Sequence, residues 1–341
     1  MNVQLADFGL AIAELIMISN PTKLPSRDSG RASDTKTTAH DTCVILNAAS
    51  GKQETSQSPD RIRAALERSG ATFDLKLVKS GSDISEAARK SVEDGYTTIV
   101  AAGGDGTICA VAGELIGTEQ RLGIIPLGTF NYFARSLDIP VEIEEAVDVL
   151  VSNFDRYVPV ATINDRLFLN NASLGAYPEI LKNREKIYSR WGRSRIAAYW
   201  SVLKTLVTLR RPLKLVIEVD GTRREVTTPM VFAVNNAFQL DQVGLQGRED
   251  VAQGKLVLFI AMNSGRWGMV GHALALLTGT AEPHRNFEMI AAEKIRITTH
   301  KSSRLVACDG ERTQMSGPFD MKVQQGALRV VVPEARLDDV R

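Results

Sequence analysis

From Thr97 the chain runs TTIVAAGGDGTICAVAGELIG: an uninterrupted apolar segment, the loop Gly103-Gly104-Asp105-Gly106, and then a segment of helical length. An apolar run that does not alternate belongs to a strand covered on both faces. A strand passing through a tight glycine loop into a helix is the βα step of a parallel sheet. The flanking sequence repeats the pattern. TCVILNAASG from Thr42 is a buried strand ending in a glycine turn, Ser58-Pro59 caps and opens a helix that Gly70 ends, and FDLKLVKS from Phe73 alternates as a strand. DISEAARKSVEDG is a helix with Gly95 beyond its end, RLGIIPLGT is another strand and loop, and VEIEEAVDVLVSN an acidic helix. The first half is predicted to be α/β and doubly wound.

Beyond it the period changes. YVPVATINDRLFLNNASLG turns at Asn164-Asp165, LKLVIEVDGTRREV at Asp220-Gly221, and KLVLFIAMN, KIRITTH, RLVACDGERT and FDMKVQQGALRVVVP continue a β-rich pattern. Helical insertions are expected near Ile187 to Leu209 and Trp267 to Leu277. The organisation predicted is a leader over 1–41, an α/β domain over 42–155, and a β-rich domain over 156–335 whose last strands pack back on the first. The leader is expected to be disordered, because the stretch from Asn20 to Asp41 is polar and lacks large apolar residues.

Composition narrows the function. The 341 residues carry 41 Lys and Arg against 40 Asp and Glu, so there is no global field for nucleic acid. Three cysteines (Cys43, Cys109, Cys308) form no CxxC pair and are expected as free thiols in a reducing compartment. The four histidines show no zinc spacing. The longest apolar stretch, Leu10 to Ile18, is interrupted by Glu14 and falls short of the roughly 20 residues that cross a bilayer.

The carboxyl ends of parallel strands face the ligand crevice. Glycines there let backbone N–H groups wrap phosphate oxygens, with the positive end of the next helix aimed at the same point. Gly103, Gly104, Asp105, Gly106 and Thr107 fit that role, with Asp105 as a Mg2+ ligand; the bland alternative is an ordinary Asx turn. Pro126-Leu127-Gly128-Thr129-Phe130-Asn131 is a second loop of the same design, and Asn47 to Lys52 a third.

Together NAASGK at 47–52, GGDGT at 103–107, PLGTFNYFAR at 126–135, FLNNASLGA from Phe168 and Asp309-Gly310-Glu311 resemble the diacylglycerol kinase catalytic-domain family of bacterial lipid kinases, which includes sphingosine and ceramide kinases. The resemblance covers roughly 42–335. It implies a phosphofructokinase-like α/β nucleotide domain, a β-sandwich domain, and ATP bound in the cleft between them. On this resemblance Gly103 to Thr107 hold the nucleotide phosphates, alongside Asn47, Ser50, Gly51, Gly128, Thr129 and Asn131. Asp309 is the expected catalytic base, Glu311 lies near the metal with Asp105, and the acceptor is the hydroxyl of diacylglycerol or a related lipid alcohol. Phosphoryl transfer to a poor hydroxyl nucleophile needs these parts: positioning, charge neutralisation and a proton acceptor. The chain departs from the family at Cys109 and Ala110, where many members carry Asn and Glu, and at Ala252-Gln253-Gly254, where an Asp-Asp-Gly associated with a structural metal is common. The rival expectations are a catalytically silent lipid- or nucleotide-binding protein and, within enzymes, NAD kinase or phosphofructokinase, which are similar only at GGDG.

From Lys182 to Arg195, KNREKIYSRWGRSR holds six basic residues and one acid, a local charge of +5, with Tyr188 and Trp191 among them. Such a run suits an anionic membrane surface at about 1 kcal/mol per basic residue. The expectation is a cytoplasmic protein, peripheral at the inner membrane surface, that binds no nucleic acid.

Overall fold

A computed structural model describes residues 41–48, 58–70, 72–152, 154–176, 178, 212–242, 244–262 and 287–334. The expected leader over 1–40, Ser50 and Gly51, both helical insertions and the basic run from Lys182 lie outside the described residues. The fold divides into two compact units. The first runs to Val160 and resumes at Gln324; the second spans Ala161 to Val323.

The first unit is the doubly wound half. Strands β1 (Thr42–Asn47), β2 (Asp74–Val78), β3 (Thr98–Gly103) and β4 (Arg121–Pro126) lie in the order β2-β1-β3-β4, all parallel. Helices α1 (Ser58–Arg68), α2 (Gly81–Glu93), α3 (Asp105–Leu115), α4 (Tyr132–Ser136) and α5 (Ile143–Ser152) connect or flank them. Side chains alternate across a strand, so the apolar run of β1 serves two faces. Val44 and Leu46 join Val100, Ala102 and Ile125 under Ile62 and Leu66 of α1 and Ile143 and Val147 of α5. On the other face Cys43 accepts a hydrogen bond from Ser91 of α2. Burying each Val, Leu or Ile of such a core stabilises by about 1.5–3 kcal/mol. The helix starts follow local chemistry: the Ser80 hydroxyl caps α2 by accepting from the Asp83 N–H, one turn earlier than the sequence pattern suggested.

Within this unit the end of β16 (Phe319–Val331) lies parallel to β4, with Val330 opposite Leu122. Asp155, at the start of β5 (Asp155–Ile163), receives Arg329 Nε and Nη2 at 2.5 and 3.2 Å and Arg121 Nη1 at 3.3 Å. Burial pushes its carboxyl up, but the two guanidinium groups outweigh that and hold it below the ordinary aspartate range.

The second unit is a β-sandwich. One sheet is antiparallel, in the order β12 (Phe287–Ala292), β11 (Leu256–Ala261), β10 (Met230–Val234), β7 (Asn171–Gly175), β14 (Ser303–Cys308), β15 (Glu311–Ser316). The other holds the start of β16, β13 (Lys294–Thr299), β8 (Leu213–Val219) and β9 (Thr222–Thr228) in antiparallel register, with the end of β5 paired to β6 (Arg166–Phe168). Alternate residues of both sheets meet in one core, including Leu174, Val231, Leu258 and Val306 from the first and Leu215, Ile217, Ile297 and Phe319 from the second. Two short helices, α6 (Ala237–Gln242) and α7 (Arg248–Ala252), precede β11. The expected hairpins form: Asp220 and Gly221 take φ of 49° and 77°, and Asp309 and Gly310 take 45° and 82°. Two successive positive φ values are what a two-residue turn needs to match the twist of its strands. FDMKVQQGALRVV is β as expected. It is one strand of 13 residues in which Gly326 absorbs a φ of 60°. Cys43, Cys109 and Cys308 are free thiols.

Candidate functional site

The strand order places a topological switch between β1 and β3, because the chain leaves β1 for β2 on one side and returns to β3 on the other. Ligands of open α/β sheets bind beyond the carboxyl ends of the strands at such a point. Asn47 ends β1 and Gly103 ends β3 there, and Gly103 lies opposite Pro126 of β4, so the three loops share one rim.

Four contacts stitch the loops. The Leu127 N–H donates to the Gly103 carbonyl at 2.9 Å, and the Phe133 N–H donates to Asp105 Oδ1 at 3.1 Å. Asn47 Nδ2 donates to Thr107 Oγ1 at 3.1 Å. Gly104 and Gly128 approach so closely that a Cβ on Gly128 would lie 2.7 Å from Gly104 Cα and 2.7 Å from Asn131 Oδ1. Asn131, at a φ of 53°, accepts from the Gly128 N–H at 2.9 Å and donates to the Gly128 carbonyl at 3.0 Å. The rim thus gathers Asn47, Gly103, Gly104, Asp105, Gly106, Thr107, Gly128, Thr129 and Asn131.

The same contacts assign these residues different work. Asn131, Asn47 and Asp105 direct side-chain atoms into the scaffold, Asp105 being 7% exposed. Gly103 is required because a Cβ there would strike the Thr107 side chain, and Gly128 because of Gly104 and Asn131. Gly106 differs from both. It is exposed, lies in the first turn of α3 without a positive φ, and a Cβ added to it would meet nothing within 4 Å. Nothing among the described residues demands glycine at that position.

In the second unit the turn after β14 places Asp309 against the chain between β6 and β7. Its Oδ2 accepts the Leu169 N–H at 2.7 Å, and its Oδ1 accepts the N–H groups of Asn170 and Asn171, both at 2.9 Å. The Asp309 N–H in turn donates to the Asn171 carbonyl. Beside it burial pushes the Cys308 thiol up to about 12, so this cysteine stays protonated. Glu311 is exposed and paired to Arg166 Nη2 at 2.8 Å; Arg166 Nη1 also donates to Thr313 Oγ1 at 3.0 Å. Among the described residues no three His, Cys, Asp or Glu side chains gather as a metal set. At the positions that depart from the family, Cys109 is half-buried in α3, and Asp250, two residues before Ala252, meets Lys255 Nζ at 3.2 Å.

The buried amides around Asp309 were not singled out from sequence. Asn170, Asn171, Asn236 and Gln239 are all 5% exposed or less. The available signal was two adjacent Asn-Asn pairs in apolar surroundings, at 170–171 and 235–236, since burying an amide is unfavourable unless its partners come with it.

Sequence comparison aligns this chain with a diacylglycerol kinase of Bacillus subtilis over 303 residues at 31% identity, covering 87% of this chain and 98% of that protein. The chain belongs to the diacylglycerol kinase family. The diacylglycerol kinase catalytic domain matches residues 41–163, and the YegS C-terminal NAD kinase beta sandwich-like domain matches 180–332. Diacylglycerol kinases of Staphylococcus saprophyticus and Staphylococcus haemolyticus are 32% and 33% identical over 139 residues. That is 40% of this chain in each case, and 46% and 42% of those proteins, so the match spans under half of their length. The crystal structure of a diacylglycerol kinase from Bacillus anthracis shares the fold with a TM-score of 0.63 at 22% identity, covering 87% of this chain and 98% of that one. A second crystal structure from the same organism has a TM-score of 0.66 at 21% identity, covering 86% and 98%.

Proposed function

We propose that this member of the diacylglycerol kinase family is an ATP-dependent lipid kinase, transferring the γ-phosphoryl group of Mg·ATP to a hydroxyl of diacylglycerol or a related lipid alcohol. Gly106 carries the reading. A helical position with room for a side chain, exposed and free of backbone strain, favours alanine by up to about 1 kcal/mol. Glycine there is explained by a ligand that approaches the backbone too closely for a Cβ, and the positive N-terminal end of α3 suits phosphate oxygens. The rim therefore fits nucleotide phosphates. Thr129 is exposed beside it, while Asn47 and Asn131 shape the loops from behind.

Mg2+ would neutralise phosphate charge as the transition state forms. By the family resemblance Asp105 would hold it and Glu311 would serve the metal as well, each in addition to the protein contact it makes. In the transfer the lipid hydroxyl oxygen bonds to the γ-phosphorus, the bond from that phosphorus to the β,γ-bridging oxygen breaks, and ADP leaves. Asp309 takes the hydroxyl proton. Its three N–H donors fix the carboxylate in one orientation, which a general base requires. The basic run from Lys182 to Arg195 is assigned to docking on anionic lipid. No helix among the described residues is long and apolar enough to cross a membrane.

Cys109, Ala110 and the engagement of Asp309 with three N–H groups favour a second reading, a nucleotide- and lipid-binding protein without turnover. Radiolabelled ATP with a total lipid extract separates the two. A labelled lipid, identified by mass spectrometry, supports the kinase, whereas nucleotide binding with no labelled product supports the silent protein. Liposome sedimentation tests the docking. Charge reversal at Arg190, Arg193 and Arg195 should release the protein from anionic vesicles, and equal binding by the variant would remove that assignment.

A further inference from the structure

Three consecutive N–H groups, those of Leu169, Asn170 and Asn171, converge on the Asp309 carboxylate. Consecutive N–H groups in a regular strand point to opposite edges, so convergence requires this short connection to be held out of strand geometry. The β6–β7 connection is also held by a set of side-chain amides. Asn236 Nδ2 donates to Asn170 Oδ1 at 2.7 Å, and the Asn235 N–H donates to the Asn170 carbonyl at 2.8 Å. Asn171 Nδ2 donates to Gln239 Oε1 at 3.1 Å, and the Gln239 N–H returns to Asn236 Oδ1 at 2.9 Å. The bonds close a circuit, from Asn170 through Asn236 and Gln239 to Asn171 and back along the chain. The last of these bonds also caps α6, a helix of six residues that is too short to persist by itself.

Fold stability alone does not explain this circuit. Asn171 Oδ1 and Gln239 Nε2 are buried with no partner among the described residues, and unmet amide groups destabilise. The neighbouring positions are filled by Ala172, Leu174 and Val306, which need no partners. A circuit of amides in place of apolar packing gives direction. It sets where two peptide units point, and through them where a carboxylate points.

We propose that Gln239 and Asn236 are positioning residues for Asp309: the amide circuit aims the Leu169 to Asn171 N–H groups, and those groups aim the carboxylate that receives the lipid hydroxyl proton. This rests on the kinase reading, and the test keeps the two apart.

The perturbation is Gln239→Met, which keeps the chain length and removes the amide. Leu240→Ala is the control; Leu240 is fully buried in the same helix but outside the circuit. Two measurements are made on the full-length protein: steady-state kinetics with ATP and diacylglycerol in mixed micelles, and hydrogen exchange of the peptides covering 169–171. The expected result for Gln239→Met is a kcat about tenfold or more lower, since small displacements of a reacting group are amplified in rate. KM for ATP should stay within about twofold, and exchange at 169–171 should quicken. Leu240→Ala should lower the Tm while kcat per folded molecule holds. The proposal is overturned if Gln239→Met leaves kcat unchanged, if exchange at 169–171 does not respond, or if Leu240→Ala lowers kcat as much. Turnover that survives Asp309→Asn would sink the base assignment instead, while the exchange result would still stand.

Discussion

Replacing Gly106 with alanine separates the demands of the fold from those of a ligand. The perturbation is one methyl group on an exposed position of the first turn of α3, with no atom of the described residues within 4 Å of it. On the protein alone the change is favourable. Alanine loses less backbone entropy than glycine in a helix, by up to about 1 kcal/mol in an interior and roughly half that in a first turn, so Tm should rise by about 1–2 °C for a chain of this size. On the phosphate the change is unfavourable. An oxygen hydrogen-bonded to the first-turn N–H groups sits about 2.9 Å from nitrogen, and a Cβ tolerates no heavy atom much inside 3.5 Å. A phosphate oxygen packed against the Gly106 Cα inside that limit is displaced by the methyl and loses one or two charge-assisted hydrogen bonds, each of about 1.5–3 kcal/mol. Losing one raises KM for ATP about 10- to 100-fold. Thermal melts with and without ATP, alongside steady-state kinetics, read both effects. The refuting result is a raised Tm with an unchanged ATP response, which would make Gly106 an ordinary helical glycine and move the phosphates elsewhere. A lowered Tm in the absence of nucleotide would refute the premise that the position is open.

Gly128→Ala should behave in the opposite way. Its Cβ would lie 2.7 Å from both Gly104 Cα and Asn131 Oδ1, the loops must part by about 0.8 Å to reach ordinary contact, and stability should fall by about 1–3 kcal/mol in denaturant melts even without nucleotide. Asp155→Asn should cost about 2 kcal/mol, the size of a charged hydrogen bond, because Arg121 and Arg329 lose their carboxylate. Since that carboxyl is held below its ordinary value, its contribution is present above the unfolded pKa, about 3.9, and is lost as the pH falls through the lower folded value; melts between pH 6 and 2 should fall less steeply in the variant. Asp309→Asn should abolish lipid labelling and keep ATP binding. It should also lower stability by about 1–3 kcal/mol, because its amide nitrogen cannot accept from the Leu169 to Asn171 N–H groups.

Much of this was legible in sequence because it is local. The glycine loops after apolar strands follow from period and backbone freedom, so the rim residues 47, 103–107 and 128–131 could be named before any geometry was known. The Asp220-Gly221 and Asp309-Gly310 turns are two-residue signals of the same kind. Non-local pairing was less legible. The strand MVFAV (β10) and the strand FEMIAA (β12) exist because neighbours in the sheet hold them, Val231 opposite Leu174 and Ile260, and Phe259 opposite Met289. Single-sequence periodicity carries no trace of those partners.

The harder distinction is between residues that shape a site and residues that touch its ligand, because both kinds look alike as a motif. In PLGTFN the asparagine commits its amide to Gly128, yet in GGDGT the third glycine has no reason among the described residues. Sequence assigns Asn131 and Gly106 to the same phosphate site with equal force; geometry ranks Gly106 first. The second unit repeats the lesson at Asp309. A carboxylate met by three N–H groups is firmly oriented, and its orientation depends on the residues that hold those groups. Activity lost at Asp309→Asn therefore cannot by itself divide chemistry from architecture. Activity lost at Gln239→Met with the fold intact would divide them, because the Gln239 amide bonds Asn171, and it is the Asn171 N–H that meets the carboxylate.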